Sequence, residues 1–414
     1  MSDFITRNPQ LRAVSMHATI GMSTPAVEIL DALSKCQHLR TLSINFDNMN
    51  TKVARYLYMA CNRLETLVLS IRAAKYLDLS SISIDIPSVK NLHFMVTRRM
   101  SFNDQLDVIQ GFSQLNFLHW EFEFDYIQSR DVDKSPSKRR LSAKELDLFG
   151  FNWYNPDGSA DVPVAKVLDY CEQVKSFKTT CLNIGPLTFQ SLERHFGSLT
   201  CLLFDRCNFI TSGMVQGFMA SCPHLTHLKS RTLDVHDICG EIMGEQDDTL
   251  LYPKEWICLK LVRLSVPICG FYGKPVEWQR QVLQRLATLE ELKYLEIGSY
   301  GIDLTNSFYY DGLDLRLGCR LKILGSLKRL KGIMFVGLKQ RLEEQDIRWM
   351  LKNLSGLKYL IGTANYDMEK HMHLEMILKG TRISLVSVGG SEYGEAEYLK
   401  TNEDMWKDIE SDLV

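Results

Sequence analysis

An apolar residue returns along this 414-residue chain at a period too regular for scattered leucines. The run Leu199-Thr200-Cys201-Leu202-Leu203-Phe204-Asp205-Arg206-Cys207-Asn208-Phe209-Ile210-Thr211 leads into a helical stretch. The same pattern then restarts at Cys222-Pro223-His224-Leu225-Thr226-His227-Leu228. Fourteen starts can be placed, at Leu11, Leu39, Leu64, Val89, Leu115, Ala143, Val174, Leu199, Leu225, Leu261, Leu292, Leu330, Leu357 and Ile383. Nine of the thirteen spacings lie between 25 and 28 residues, and the four longer ones, of 31, 36, 31 and 38, fall where the sequence reads as inserted loop. The units at Ala143 and Val174 depart furthest from the pattern. A unit of this size cannot bury its apolar face alone, so it must stack on its neighbours.

Within each unit the arrangement L-x-x-L-x-L-x-x-C/N gives a short strand whose alternate residues are buried, closed by a Cys or Asn that bonds the backbone where the chain turns. That is a leucine-rich repeat. Between strands the chain reads helical. Thr24-Pro25 offers a capping hydroxyl and a proline for the first turn, ahead of Ile29, Leu30 and Leu33 on one face. The same reading predicts helices over Asn208–Ser221, with Met214, Phe218 and Met219 inward, over Val276–Leu292, and over Leu342–Leu354, with Ile347, Leu351 and Leu354 inward. Strand then helix, repeated, implies an α/β leucine-rich-repeat solenoid with a curved parallel sheet on the concave side and helices on the convex side.

The formal net charge is -2, which supplies no general electrostatic footprint for nucleic acid. No apolar run approaches the roughly 18 residues of a membrane span, and the opening Met1-Ser2-Asp3-Phe4-Ile5-Thr6-Arg7 lacks the core of a signal peptide. Cytoplasm or nucleus is the expected compartment, with no membrane partner. Of the eleven cysteines, Cys36, Cys61, Cys171 and Cys222 each lie three residues before a strand start, as small buried thiols and not as a disulfide framework.

The solenoid is expected over residues 1–390, with insertions near 125–142, 234–256 and 303–320 and an acidic tail or cap over 391–414. The first insertion holds Ser135-Pro136-Ser137-Lys138-Arg139-Arg140, readable as an import or phosphorylation site but more commonly a solvated loop. The second is a surface loop or a lid, and the third carries Phe308-Tyr309-Tyr310. The chain enters Leu11 directly from what reads as the end of a helix, with no polar cap before it.

No pattern carries catalysis, so the chain is expected not to be an enzyme and to need no cofactor. His224 with His227, and His371 with His373, lack the cysteine pair that would make a zinc site. Gly270-Phe271-Tyr272-Gly273-Lys274 has the wrong spacing for a phosphate loop, and Pro275 stands where a magnesium-binding hydroxyl is needed. There is no G-x-S-x-G nucleophile elbow.

Alternation within strands turns the repeat into a surface map. Phe117, His119, Glu121, Glu145, Asp147 and Phe149 are expected on the concave face as aromatic rings among carboxylates. Leu203 and Asp205 follow, then a basic stripe of His227, Lys229, Arg231 and Arg263, then Tyr294, Glu296 and Tyr359. Aromatic and arginine side chains are the usual anchors of protein interfaces, so a protein partner on the concave face is expected.

The run from Leu199 to Leu228, with Cys207, Ile210-Thr211 and Cys222-Pro223-His224-Leu225, resembles the cysteine-containing repeats of F-box and ribonuclease-inhibitor-like proteins. Asp346-Ile347-Arg348-Trp349-Met350-Leu351, with Leu357-Lys358-Tyr359-Leu360, resembles the C-terminal repeats of large fungal families of that type. The resemblance implies a substrate-binding receptor linked to a cullin-based ubiquitin ligase, or a truncated relative. An adaptor contact is expected only if an upstream F-box exists, since none is visible in this sequence. A stand-alone scaffold or inhibitor of the ribonuclease-inhibitor-like type is the alternative.

Overall fold

The computed structural model describes residues 1–20, 24–47, 49–72, 85–96, 100–122, 140–150, 160–240, 255–298, 312–338 and 340–386. Most of the basic run at 135–140, the acidic centre of the second insertion, Phe308-Tyr309-Tyr310 and the tail 391–414 lie outside those residues. The chain forms two compact units, Met1–Ile210 and Thr211–Val414.

In the first unit, helix α1 (Ser2–Arg7) precedes strand β1 (Ala13–Ile20), and α2 (Thr24–Ser34), β2 (Thr41–Phe46), α3 (Thr51–Cys61) and β3 (Thr66–Ile71) follow. Then come β4 (Asn91–Val96), α4 (Phe102–Gln110), β5 (Phe117–Phe122), β6 (Glu145–Gly150), α5 (Asp161–Tyr170), β7 (Ser176–Thr180), α6 (Pro186–Glu193) and β8 (Cys201–Asp205). All eight strands pair in parallel with their sequence neighbours. The irregular units at Ala143 and Val174 pair in the same register as the rest.

The second unit has α7 (Ser212–Ser221), β9 (His227–Lys229), β10 (Leu233–Asp234), α8 (Val235–Cys239), β11 (Arg263–Ser265), β12 (Ile268–Cys269), α9 (Val276–Ala287) and β13 (Tyr294–Glu296). Two 3-10 turns, Leu317–Cys319 and Leu321–Ser326, precede β14 (Gly332–Met334), and α10 (Glu344–Asn353), β15 (Tyr359–Ile361), α11 (Met368–Leu378) and β16 (Ser384–Val386) complete it. Strands β9, β11, β13, β14, β15 and β16 form a parallel sheet in that order, while β10 and β12 pair apart from it. The fold of the chain is an α/β leucine-rich-repeat solenoid.

The predicted strand starts hold through Leu357, but β16 pairs Ser384 with Tyr359, so its start falls one residue before the predicted Ile383. Every one except Leu11 is buried, and Leu11, just ahead of β1, is half-buried. Each buried leucine, valine or isoleucine among them adds roughly 1.5–3 kcal/mol. One bonding pattern locks the register. The amides one and two places after a strand start both donate to the carbonyl one place after the preceding start. Arg40 and Thr41 bond Arg12 O at 2.8 and 3.1 Å, and Thr200 and Cys201 bond Lys175 O at 2.8 and 3.2 Å. In the second unit Lys358 and Tyr359 bond Lys331 O at 2.8 and 3.0 Å.

The helices differ from expectation at their ends. Helix α7 begins at Ser212 and not Asn208, because the Thr211 hydroxyl accepts from Met214 N at 3.3 Å and fixes the cap there. Its inward residues are Val215, Phe218 and Met219, with Met214 only half-buried. Helix α9 ends at Ala287, ahead of the turn that leads into Leu292. In α10 a capping box of Glu343 and Asp346 sets the first turn, and Met350 takes the buried place expected of Leu351. The four cysteines at helix ends are buried free thiols, and burial pushes Cys171 and Cys222 up to about 12, which keeps them unreactive. Cys207 closes its strand as expected, with Sγ donating to Thr179 O at 3.6 Å.

Buried polar side chains join successive repeats. The indole of Trp120 donates to Gln105 Oε1 at 3.0 Å, and that of Trp256 to Gln216 Oε1 at 2.8 Å, so the returning end of the second insertion plugs into the core. Asp161, on the first turn of α5, caps the next helix: its oxygens accept from Gly185 N at 2.8 Å, Leu187 N at 3.0 Å and Thr188 N at 2.7 Å. Charge-assisted bonds of this kind are the stronger ones. Asp161→Ala leaves these amides without their acceptor and is expected to cost about 3 kcal/mol in urea unfolding, with Asp161→Asn costing less. A loss under about 0.5 kcal/mol for the alanine variant, within the range of neutral surface changes, would show that the cap contributes nothing.

Candidate functional site

The sheet face turned away from the helices carries the alternate residues of every strand. In the first unit these fall into ladders, because from β2 onward each strand pairs residue for residue with the next. One ladder runs Thr66, Asn91, Phe117, Glu145, Ser176, Cys201. Beside it lies Val68, His93, His119, Asp147, Lys178, Leu203. A third holds Ser70, Met95, Glu121, Phe149, Thr180, Asp205.

His119 is the centre of this face. Its Nδ1 lies 3.0 Å from Asp147 Oδ2 and its Nε2 lies 2.8 Å from Glu121 Oε1. A neutral imidazole donates from one nitrogen only, so two carboxylate contacts select the protonated ring. The hydrogen bond to Asp147 is the main cause of a pKa above the usual imidazole value; burial opposes it and the bond to Glu121 reinforces it. An imidazolium with both N–H groups engaged has no lone pair left for a base or a metal ligand. In its protonated form it is a cation held between two carboxylates, half-buried, with aromatic neighbours.

Those neighbours include one residue absent from the sequence map. His93, one strand back, sits with its ring centroid 5.2 Å from Phe117 and 5.4 Å from His119, tilted to both. Burial first, then repulsion from His119, holds its pKa below the usual value against the pull of Asp147 and Glu121. Counting two and four residues on from Val89 would have placed His93 on this face.

The expected set is brought together only in part. Phe117, His119, Glu121, Glu145, Asp147 and Phe149 form one contiguous patch on β5 and β6. Asp205 shares the face but stands on β8, beyond the whole of β7. In the second unit His227, Arg263 and Tyr294 occupy one ladder, and Lys229, Ser265 and Glu296 the next. Arg231 is a correction: β9 ends at Lys229, Ser230 turns inward, and Arg231 projects from the bend that follows. Tyr294 is a second, because it is buried, its ring folded over Gly332 where no side chain opposes it. The basic stripe is also partly neutralised, with Arg263 Nη2 3.8 Å from Glu296 Oε2.

Among the described residues no group of three or more His, Cys, Asp or Glu side chains is arranged to hold a metal ion. His371 lies in α11 with Nε2 3.3 Å from Glu375, and His373 faces Glu344 at 3.4 Å, so that pair serves helix contacts. Gly270 and Gly273 take positive φ in a surface turn, and Lys274 lies over the Trp278 ring at 4.7 Å. Among the described residues no helix is long and apolar enough to cross a membrane.

No protein-family profile and no curated protein matches the sequence. Solved structures similar to it include an internalin from Listeria monocytogenes, 12% identical, covering 95% of this chain and 90% of that one with a TM-score of 0.42. A leucine-rich-repeat protein of Leptospira interrogans is 12% identical, with 92% and 97% covered and a TM-score of 0.42. PEPR1 in complex with AtPEP1 is 15% identical, with 94% of this chain and 48% of that one covered and a TM-score of 0.38.

The two histidines have opposite linkage. His119, with its pKa raised, stabilises the fold fully below about pH 6.5, and that contribution is lost as pH rises through the raised value. His93, with its pKa lowered, contributes above about pH 6.5 and loses that contribution as pH falls through the lowered value. NMR titration of the imidazole protons is expected to give a His119 midpoint above that of His93. Asp147→Asn should lower the His119 midpoint, and His119→Gln should raise that of His93. Coincident midpoints in the unaltered chain would dismantle the clamp.

Proposed function

We propose that this chain is a protein-recognition module that binds a protein partner on its open sheet face and carries out no reaction of its own. The observation behind this reading is the His93, Phe117, His119, Asp147, Glu121 cluster. Its aromatic rings and charged groups are set on adjacent rungs of a hydrogen-bonded sheet, so little conformational freedom is left to lose on binding. Aromatic anchors beside polar groups already ordered by one another are what a protein surface can dock against. The clamped imidazolium argues against a base or a metal ligand at this position.

The finer reading, a substrate receptor of a cullin-based ubiquitin ligase, draws on the repeat resemblance of Leu199 to Leu228. In it the repeats hold the substrate and a docking element elsewhere reaches the ligase. A stand-alone inhibitor or scaffold differs only in what else is assembled. Capture with the full chain from native extract separates the two: cullin adaptor proteins among the specific partners favour the receptor, and their absence favours the scaffold.

The recognition reading itself is tested by measuring the affinity of a captured partner for three chains. Phe117→Ala combined with His119→Ala is expected to weaken binding at least tenfold, about 1.4 kcal/mol, while Met59→Ala on the exposed side of α3 leaves it unchanged. Equal affinity for all three would place recognition elsewhere.

A further inference from the structure

In the first unit the residues whose carbonyls lock the register are mostly cations. Arg12, Arg40, Glu65, Lys90, Asn116, Lys144 and Lys175 each accept two amides from the next strand. Five of these seven are Lys or Arg, although those two types make up only 48 of the 414 residues. The backbone does the structural work at this position. Glu65 and Asn116 accept the same pairs of bonds, so register asks for no charge there. All five cations are exposed, and from Arg12 to Lys175 the row crosses six strand separations of 4.7–4.9 Å, about 29 Å. Arg63, one place ahead of its strand start, adds a sixth. Gln37, Arg40, Arg63, Glu65, Ser88 and Lys90 line an open groove of about 640 Å³ at this edge.

Contacts within the fold account for one of these cations. Carbonyls at helix C-termini attract positive charge. Arg40 Nη1 donates to Gln37 O, Leu39 O and Arg63 O at 3.2–3.5 Å, and its Nε lies 3.5 Å from Glu65 Oε1. Arg12, Arg63, Lys90, Lys144 and Lys175 do nothing of the kind: among the described residues their side chains have neither a hydrogen bond nor an ion pair. Like charges on paired strands repel, so Arg12 beside Arg40 and Lys144 beside Lys175 carry a strain that a bound anion relieves.

Three carboxylates interrupt the row and bear on the kind of anion. Glu65 is held by Arg40, Asp85 accepts from Ser113 Oγ at 2.5 Å, and Glu172 stands exposed ahead of β7. A nucleic-acid strand carries a charge at every phosphate and would meet all three. A protein segment can set an uncharged residue opposite each. The groove also has no aromatic ring on which a base could stack.

We propose that the strand-entry edge of the first unit, centred on the groove between Arg40 and Lys90, is a second docking surface that takes an acidic, extended segment of a partner protein. It is separate from the open sheet face and does not depend on the reading of that face. An extended segment covers about 3.3 Å a residue, so about nine residues span the row. Carboxylates of the segment meet the forked donor of Arg63 and the ammonium groups of Lys90, Lys144 and Lys175.

Fluorescence anisotropy with the full chain and a labelled nonapeptide of alternating Glu and Ser tests this. The unaltered chain is expected to bind the acidic peptide, to ignore its Lys-Ser counterpart, and to bind more weakly as salt is raised. Arg63→Glu combined with Lys90→Glu, and separately Lys144→Glu combined with Lys175→Glu, should each weaken binding at least tenfold. The corresponding Gln pairs, which remove charge without reversing it, should weaken it less. Lys52→Glu combined with Arg55→Glu, on the exposed side of α3, changes net charge equally and should leave affinity within twofold. Circular-dichroism melts identify any variant that fails to fold, and the Gln pairs then carry the test. No binding by the unaltered chain, or equal losses in the edge and α3 variants, overturns the surface. Tighter binding of a single-stranded oligonucleotide of equal charge, lost in the same edge variants, overturns the partner's chemistry. If Phe117→Ala with His119→Ala abolishes peptide binding and the edge variants do not, the edge fails and the open face stands.

Discussion

In both units a carbonyl at the start of a main-sheet strand accepts two amides from the next strand, and the register of the side chains descends from that contact. The pair of bonds recurs from Arg12 O through Lys175 O in the first unit and from Thr226 O through Lys331 O in the second, at 2.7–3.2 Å throughout. It fixes where a strand begins relative to its neighbour, whatever the length of chain between. Register is thereby insulated from insertion. The longest intervals, Leu225 to Leu261 and Leu292 to Leu330, deliver their strands to the same place as the shortest. A slip of one residue would carry His119 and Asp147 into the core and expose Leu118 and Leu146, an exchange no local adjustment offsets.

That constraint explains why so much was legible in the sequence. The strand starts are apolar because each lies at the same buried point of a stack, and periodicity reports stacking directly. Once the starts are right, alternation assigns Phe117, His119, Glu121, Glu145, Asp147 and Phe149 to one face with no further information. What alternation cannot supply is what the side chains do there. It placed Tyr294 on the open face, where the ladder has it. The absence of a side chain at Gly332 then lets the ring lie down, and it is buried. His93 escaped notice for a different reason: it belongs to a strand with little else that draws attention, and its role arises only through the rings packed on it.

Polar residues inside helices were harder still. Gln105, Gln216 and Asp161 are polar residues that no apolar pattern singles out, yet each is buried. Each satisfies a group from another segment: an indole N–H for the two glutamines, the amides at the head of α6 for Asp161. Such partners lie 15 to 40 residues away in the chain. No periodicity carries that information, because the donor's position depends on how one repeat lies against the next.

The two units share this ladder yet offer different surfaces, and strand length is the reason. Strands β2 to β6 run six residues and expose three open-face positions each, whereas the main-sheet strands of the second unit run three residues and expose two. Three rungs give room for a polar network around His119 with both nitrogens satisfied from neighbouring positions. Two rungs leave no such room, and the short ladders there are filled largely by Tyr294, Met334, Tyr359, Ile361 and Val386. In the second unit the chain leaves the sheet early, after Lys229 and after Ser265, and the segments that depart pair with each other as β10 and β12. Asp234 then caps α8, accepting from His236 N at 2.8 Å. Its carboxylate fills the space a Cβ at Gly270 would need, so that turn is held to glycine. The early departure that shortens the ladder is thus fixed by its own capping and turn chemistry, and the apolar character of the remaining face follows from it.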